Sequence, residues 1–150
     1  MTADHPFVPA NFDVPLRLDT PEFRLEPLGP QHNEADYAAW SSSMEHIHET
    51  PGWEESSWPR EMTLEDNRGD LVGHAEDFTN RVGFTFTVLD PEDADVIGCV
   101  YVDPDASAGC VTVRSWVRAT RADLDEPLRA TVAAWLQRDW PFASVSRAQE

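Results

Sequence analysis

The sequence contains no lysine, and all 11 of its basic residues are arginines. Against them stand 28 aspartates and glutamates, so the formal net charge at pH 7 is −17. A surface this acidic repels nucleic acids and anionic lipids through long-range Coulomb forces. The composition therefore argues against a nucleic-acid-binding or membrane-surface protein, and it favours cationic small molecules or basic proteins as partners.

Long apolar runs are also missing. The first ten residues lack the basic and apolar regions of a secretory signal, and no stretch reaches the roughly 18 apolar residues that span a bilayer. We therefore expect a cytoplasmic protein without a membrane segment. The two cysteines, Cys99 and Cys110, are too few for a disulfide framework, and we expect both to be free residues of the core.

The chain does contain enough apolar material for one folded domain. Its 150 residues are 41% hydrophobic and include six tryptophans, which is too rich for a disordered chain despite the net charge. Residues 1–22 carry four prolines and few apolar anchors. We therefore predict an extended N-terminal arm over residues 1–22 and a single domain over residues 23–150.

The hydrophobic pattern switches between the periods of strands and helices. It predicts an α+β fold in which helices flank a central, mostly antiparallel sheet, in the order strand, helix, helix, three strands, helix, strand. The expected elements are a strand at 23–28, a helix at 31–43, an ordered loop at 45–60, a helix capped by Thr63, strands at 84–88, 96–102 and 110–117, a helix from Asp123 and a strand near 142–145.

Three short motifs recur in a characteristic order, at residues 23–28 (FRLEPL), 95–100 (DVIGCV) and 116–121 (WVRATR). Together they resemble the GNAT (Gcn5-related N-acetyltransferase) family in sequence and in order. The similarity runs from about residue 23 to residue 145 and is to a divergent branch of actinobacterial type. It implies an N-acetyltransferase that moves an acetyl or other acyl group from acyl-CoA to a small amine or another cationic acceptor.

In the GNAT family, the strand before the third helix holds the pantetheine arm of CoA. A glycine-rich loop at the start of that helix wraps the diphosphate, because glycines let the main chain approach closely and helix N-termini favour anions. The resemblance places acyl-CoA binding on six residues of this chain, namely Trp116, Val117, Arg118, Arg121, Ala122 and Leu124.

This chain departs from the family pattern at that loop. No glycine occupies it, and Asp123, Asp125 and Glu126 put three carboxylates on the first turn of the expected helix. We interpret Asp123 and Glu126 as a capping box that satisfies the amides a phosphate would need. Part of this negative charge can be offset by three nearby arginines in the sequence, Arg114, Arg118 and Arg121.

A second departure concerns the general acid. The sequence ends soon after the last expected strand, so it is C-terminally short for the family, and the missing part commonly supplies the tyrosine that protonates the departing thiolate. The chain has two tyrosines, Tyr37 and Tyr101. Tyr101 lies on a central strand and is the candidate acid, with a role in the core or in the wall of a cleft as the alternative.

The loop between the first two expected helices carries further candidates. His46 and His48 are candidate general bases, with polar loop residues as the alternative. They have no matching distant pair of ligands, so we predict no metal site. Glu49, Trp53 and Trp58 are candidates for binding an amine through charge and cation–π attraction, whereas two loop tryptophans also commonly pin a loop to the core.

These features leave two hypotheses open. The first is an acyl-CoA-dependent transferase with His46, His48 or a carboxylate as base. The second is a non-catalytic domain that keeps the GNAT fold and binds a ligand or a partner chain. A sheet that ends early exposes an edge strand, so a homodimer that covers this edge is compatible with either hypothesis.

Overall fold

Six strands and four α-helices make up the part of the chain that the computed structural model describes, which is residues 8–104, 110–142 and, for the backbone, 144–147. The strands are β1 (Leu18–Asp19), β2 (Arg24–Pro27), β3 (Phe84–Leu89), β4 (Val96–Pro104), β5 (Cys110–Val117) and β6 (Ser144–Arg147). The α-helices are α1 (Asn33–Ser41), α2 (Met44–His48), α3 (Leu64–Thr79) and α4 (Asp125–Asp139), and 3-10 turns at Pro30–His32 and Ala119–Leu124 precede α1 and α4.

The strands form one sheet in the order in which they occur in the chain. All neighbours are antiparallel except β5 and β6, which are parallel and are joined by α4. Pairing of β6 with β5 runs from Cys110 to Val113 in β5. The second half of β5, residues 114–117, therefore continues beyond the described pairing with β6 and pairs with β4 alone.

The three central strands form where the sequence alternates or runs apolar. Every residue of β3 is buried, as are Val96, Ile97, Gly98, Cys99 and Val100 of β4. β4 and β5 lie in close contact at Gly98, where an added Cβ would lie 2.0 Å from the carbonyl oxygen of Trp116. Glycine is required there because the backbone of β5 occupies the place of a side chain.

Helix α3 begins as the sequence predicts. The Thr63 hydroxyl accepts a hydrogen bond from the backbone N–H of Asp66 at 3.0 Å, and the Asp66 carboxylate accepts one from the N–H of Thr63 at 3.4 Å. This is a capping box, and it satisfies two of the amides that a helix start leaves without an internal partner. Leu71 is the buried apolar residue of α3, whereas Leu64 is exposed.

Two groups of buried side chains hold the layers together. One joins α4 to the sheet and includes Phe84, Phe86, Val100, Leu128, Val132 and Trp135. The other joins α1, α3 and the loop after α2 to the sheet and includes Leu28, Trp40, Ile47, Trp53, Leu71, Cys99 and Trp116. Both cysteines are free, with Cys99 buried and Cys110 half-buried. No helix among the described residues is long and apolar enough to cross a bilayer.

The α+β class, the mostly antiparallel sheet and the order of the long elements are confirmed. The predicted order omitted two short elements. Strand β1 lies within the predicted arm, and α2 lies partly within the segment expected to be an ordered loop. A two-residue strand and a helix of five residues are too short to show a hydrophobic period, so their sequences gave no signal.

Residues 1–7 of the predicted arm lie outside the described residues, and its division from the domain stays a prediction. Within the described part, Val8 is buried in the core group around α4. The guanidinium of Arg81 donates to the carbonyl oxygens of Pro9 and Phe12 at 2.6 and 3.1 Å. These contacts hold residues 8–12 against the domain.

Candidate functional site: an acidic and aromatic cleft

A cleft of about 260 Å³ opens between α1, α3, the loop after α2, and strands β4 and β5. Its lining combines aromatic rings with three aspartates, one histidine and one arginine. The lining residues are Leu28, Asp36, Trp53, Ser56, Trp58, Asn67, Asp70, Leu71, His74, Tyr101, Asp103 and Arg114. A concave site with a few convergent polar groups is the usual form of a small-molecule site.

The aromatic wall of the cleft is fixed to the central strands. The indole N–H of Trp53 donates to the carbonyl oxygen of Ser115 in β5 at 2.9 Å. The indole N–H of Trp116 donates to the hydroxyl of Tyr101 at 3.0 Å. The rings of Trp53 and Tyr101 have centroids 5.3 Å apart, as have those of Trp53 and Trp58. Trp53 thus both pins its loop to β5 and lines the cleft.

A buried polar network positions Asp36 in the opposite wall. The Asn67 side-chain amide donates to Asn33 Oδ1 at 2.8 Å and to Asp36 Oδ2 at 3.2 Å. Its own oxygen accepts from the Trp40 indole at 3.0 Å, and Asn33 donates to the Leu64 carbonyl at 3.1 Å. Every polar atom of Asn67 is therefore used, whereas the second carboxyl oxygen of Asp36 has no hydrogen-bond partner among the described residues.

Burial changes the acidity of the groups at this wall. Asp36 is 3% exposed, and its loss of hydration raises the pKa of the carboxyl from 3.8 to about 6, against the lowering effects of Asn67 and His32. Burial also raises the pKa of the Tyr101 hydroxyl well above 10, and the Cys99 and Asp36 charges add to this effect. Tyr101 is therefore protonated at neutral pH and can act as a hydrogen-bond donor.

The α3 side of the cleft carries His74, with Asp103 of β4 beside it. His74 Nδ1 lies 3.3 Å from the hydroxyl of Thr85, and burial lowers the pKa of the imidazole against the opposing charges of Asp70, Asp103 and Asp77. Burial raises the pKa of the Asp103 carboxyl, and the charges of Arg114 and His74 oppose that change. His74 is consequently neutral at pH 7.

Arg114 brings a positive charge into the same cleft. It is the direct cross-strand neighbour of Tyr101. Its guanidinium carbon lies 4.1 Å from the ring centroid of Trp53 and 5.6 Å from that of Tyr101. These are cation–π contacts. The expectation that Arg114 offsets carboxylates at the start of α4 is therefore wrong, because its side chain lies on the aromatic wall of the cleft instead.

The histidines predicted as bases lie outside the lining of the cleft. His46 Nε2 is 2.9 Å from the carboxylate of Asp125 in the first turn of α4. The two ring nitrogens of His48 lie 3.2 and 2.7 Å from the carbonyl oxygens of Trp53 and Pro59. His48 thus ties down the loop that carries Trp53. Glu49 is exposed at the end of α2.

The residues predicted to bind acyl-CoA lie at the end of β5 and in the 3-10 turn before α4. Trp116, Val117 and Leu124 are buried, and Ala122 is exposed. The guanidinium of Arg118 donates to Asp95 at 3.2 Å and to the Val96 carbonyl at 3.1 Å, and that of Arg121 donates to Asp90 at 3.2 Å. Both cations are therefore paired with carboxylates of the β3–β4 connection.

Several amides of this turn are also engaged within the protein. The N–H of Ala119 donates to the hydroxyl of Ser43 at 2.8 Å, and the N–H of Arg121 donates to the Arg118 carbonyl at 2.9 Å. The N–H of Asp125 donates to the Ala122 carbonyl. These amides and the paired arginines are engaged within the protein, so the turn is poorly suited to bind a diphosphate as a glycine-rich loop does.

The first turn of α4 is acidic, and the predicted capping box is absent. The helix begins at Asp125, with Leu124 as the N-cap residue and no side-chain cap, and Asp123 is exposed. Instead, the carboxylate of Asp125 lies 2.9 Å from Nε2 of His46, and this contact holds the first turn of α4. Burial raises the pKa of this carboxyl, and His46 and Arg129 oppose the change.

Sequence reasoning found the aromatic wall of the cleft but missed most of its polar and ionisable groups, namely Asp36, Asn67, Asp70, His74, Asp103 and Arg114. A signal was present in α3, where the polar residues 67, 70 and 74 recur at spacings of three and four and so lie on one face. Arg114 and Tyr101 become neighbours only through the register of β4 and β5. No group of three His, Cys, Asp or Glu side chains in the described residues is arranged to hold a metal ion.

Several solved structures that share this fold are described as acetyltransferases. A ribosomal-protein-S5-alanine acetyltransferase of Vibrio fischeri matches with a TM-score of 0.60 and 13% identity, covering 83% of this chain and 68% of the other. A Bordetella pertussis protein assigned to the GNAT family matches with a TM-score of 0.59 and 14% identity, covering 82% and 74%. The microcin C7 self-immunity acetyltransferase MccE matches with a TM-score of 0.58 and 10% identity, covering 81% and 67%.

The chain spans about two thirds of the length of most of these structures. No protein-family model matches the sequence, and no curated protein matches it as a relative. At identities of 9–14%, the structural likeness establishes the fold. The resemblance seen in the sequence is thereby confirmed at the level of the fold, and the chain has the fold of the GNAT acetyltransferases.

Proposed function

We propose that this chain is an acyltransferase of the GNAT type whose acceptor is an amine bound in the cleft. The observation that carries the proposal is the cleft itself, which places the carboxyls of Asp36, Asp70 and Asp103 around a space walled by aromatic rings. Carboxylates attract an ammonium group by charge, and an aromatic face that no other cation covers adds to that attraction. The acetyltransferases that share the fold support the transfer reaction.

Asp36 is the group best placed to take the proton of the acceptor. An ammonium must lose a proton before its nitrogen can attack an acyl carbonyl, and a base with a pKa near 6 is ionised at pH 7 yet still binds a proton. The network through Asn67 fixes the position of the carboxyl and leaves one oxygen without a hydrogen-bond partner in the described part of the chain. Of the earlier candidates, Tyr101, Trp53 and Trp58 line the same space and remain candidate acid and substrate contacts.

The proposed donor is acyl-CoA. The MccE structure was solved with acetyl-CoA and AMP, and a structure of the ribosomal L7/L12 acetyltransferase RimL was solved with coenzyme A. In this chain, residues 114–117 of β5 extend beyond the described pairing with β6 and adjoin the cleft through Arg114. This half of β5 is the proposed place for the pantetheine arm, with the cytoplasm as the proposed compartment.

The release of CoA thiol in the presence of acetyl-CoA and a panel of amines tests this proposal. Asp36→Asn should lower kcat/KM by about 100-fold or more, because it removes the proton acceptor and keeps the shape of the side chain. The rate for the unsubstituted protein should fall as the pH drops through about 6. The matched control is Asp13→Asn, at an exposed residue that does not line the cleft. Equal rates for Asp36→Asn and the unsubstituted protein would rule Asp36 out as the base.

A second function is favoured by one observation. The three carboxylates at residues 123, 125 and 126, the paired arginines and the engaged amides all act against a bound diphosphate at the start of α4. A domain with these features can bind an amine in the cleft without transferring an acyl group. Calorimetric titration separates the two functions, because only the transferase must bind acetyl-CoA at concentrations below about 1 mM.

A homodimer remains a prediction. The described sheet has β1 at one edge and β6 at the other, and an edge strand presents unpaired backbone groups. Light scattering coupled to size-exclusion chromatography measures the mass in solution. A measured mass of twice 16.9 kDa would support the dimer, and a measured mass of one chain would exclude it.

A further inference from the structure

Arg114 differs from the other arginines in its contacts. In a chain with 28 carboxylates and 11 arginines, most of the arginines with an anchored side chain touch a carboxylate or a backbone carbonyl. Those within 4.0 Å of a carboxylate are Arg17, Arg24, Arg118, Arg121, Arg129 and Arg138. Arg114 is half-buried, yet its contacts among the described residues are with the rings of Trp53 and Tyr101.

Stacking on an aromatic ring leaves the hydrogen-bonding capacity of a guanidinium unused. The five N–H donors of arginine point outward in the plane of the group, and a ring covers only its face. Asp103 is near enough for the charge of Arg114 to act on its pKa, but the two side chains form no ion pair within 4.0 Å. Arg114 therefore presents donors to the cleft that suit a carboxylate, which arginine binds in a planar, two-point manner.

The cleft also carries the complementary charge. The Asp36 oxygen that lacks a hydrogen-bond partner among the described residues belongs to the wall formed by α1, whereas Arg114 comes from β5. A ligand with only an ammonium would meet the charge of Arg114 and would find the face of Trp53 already covered at 4.1 Å. A ligand that carries both charges satisfies both groups.

We propose that the cleft recognises a small zwitterion, a free amino acid or an amino carboxylate of similar size, with its carboxylate on Arg114 and its ammonium at Asp36. The space of about 260 Å³ suits a metabolite, since pockets for drug-sized ligands are commonly 300–1,000 Å³. Leu28, Leu71 and Trp58 offer apolar surface to the ligand's side chain. This inference names the acceptor class of the proposed function. Its transfer step rests on that function, whereas the binding of the zwitterion does not.

A protein acceptor makes a different prediction. A protein N-terminal amine is followed by a peptide bond and a lysine amine ends an aliphatic chain, so neither has a carboxylate two bonds away to meet Arg114. The zwitterion proposal therefore predicts that blocking the carboxylate of the ligand weakens binding. A protein-acceptor site would tolerate that change.

Binding without any acyl donor provides the test. The full chain is screened by thermal shift against the twenty proteinogenic amino acids at 10 mM, and the best binder is then titrated by calorimetry beside its amide and its deaminated acid. The amide lacks the carboxylate, and the deaminated acid lacks the ammonium. We expect the amino acid to bind at least about 10-fold more tightly than either analogue. Equal binding of the amide, or no shift with any amino acid, overturns the proposal.

Variants assign the two charges. Arg114→Gln should reduce the affinity for the amino acid to that for its amide, and it should leave the affinity for the amide unchanged. Asp36→Asn should reduce the affinity for the amino acid to that for the deaminated acid, and it should leave the affinity for the deaminated acid unchanged. Arg68→Gln, which changes an exposed arginine of α3, is the matched control. If Arg114→Gln does not fold, Arg114→Lys keeps the charge without the planar fork, and the ligand analogues still decide the outcome. Binding of the amino acid without any transfer sustains this inference and removes the proposed transferase function.

Discussion

At the scale of the residue, the ionised carboxylate of Asp36 that the proposed reaction needs also lowers the stability of the folded protein. A carboxyl that is 3% exposed is poorly hydrated when ionised, and the single hydrogen bond from Asn67 does not offset this loss. The raised pKa of about 6 expresses that imbalance. Groups kept in such a state are frequent at functional sites, where activity and stability make opposing demands.

Asp36→Asn should therefore make the protein more stable at neutral pH. With a folded pKa of about 6 and an unfolded value of 3.8, the folded state holds the proton more tightly, so the contribution of Asp36 to stability falls as the pH rises from about 4 to about 6. The asparagine cannot ionise, and above pH 7 the gain should approach about 3 kcal/mol. Urea unfolding at pH 4 and pH 8 measures it.

The gain at pH 8 should disappear at pH 4, where Asp36 is protonated in the folded state. The exposed substitution Asp13→Asn is the control and should change the free energy of unfolding by less than about 0.5 kcal/mol. A loss of stability in Asp36→Asn at pH 8 would mean that the ionised carboxyl is stabilised by its surroundings, contrary to this account.

At the scale of the element, the contact between β4 and β5 depends on Gly98. Gly98→Ala places a methyl group 2.0 Å from the backbone oxygen of Trp116, so the strands must separate and stability should fall by about 3 kcal/mol or more. Gly69→Ala is the matched control on exposed α3, where an added Cβ meets nothing within 4 Å. It should raise stability by roughly 0.5–1 kcal/mol through helix propensity. Urea unfolding of both variants checks the pair, and a mild effect of Gly98→Ala would refute the close contact.

The first turn of α4 supplies a second prediction at this scale. Asp123→Asn and Glu126→Gln each remove a negative charge where a diphosphate would meet the helix N-terminus. Each should tighten acetyl-CoA binding by roughly 2–5-fold, which corresponds to 0.3–1 kcal/mol. Glu22→Gln makes the same change in net charge at an exposed residue before β2 and should leave the dissociation constant unaltered. If all three variants changed the dissociation constant equally, the net charge of the protein would be the cause, and local repulsion at the start of α4 would not.

The elements could be read from the sequence more fully than the site. Strands β3, β4 and β5 and helix α3 follow from local alternation, apolar runs and the Thr63 capping box. The cleft depends on distant pairs. Asn67 meets Asp36 across 31 residues and His46 meets Asp125 across 79, and single-sequence patterns carry no information about such contacts. This is why the predicted capping box at residues 123 and 126 was wrong.

At the scale of the whole molecule, the net charge of −17 governs the response to salt. Like charges on a compact chain repel one another, and salt screens them, with a Debye length near 10 Å at 0.1 M. Raising NaCl from about 10 mM to about 0.5 M should add on the order of 1 kcal/mol of stability, or about 2–4 °C in Tm for a domain of this size. Thermal unfolding measures the change, with an uncharged osmolyte at equal osmolality as control. A fall in Tm with salt would show that paired charges outweigh the repulsion.

The most direct test of the central claim is the detection of product. Protein, acetyl-CoA and the twenty amino acids are incubated together, and N-acetylated products are identified by mass spectrometry. The account predicts acetylation of at least one amino acid above the rate without protein, strongly reduced in Asp36→Asn and in Arg114→Gln and unchanged in Asp13→Asn. No acetylated amino acid, or equal product from Asp36→Asn, would contradict the claim that the chain transfers an acyl group to an amino acid with Asp36 as the base.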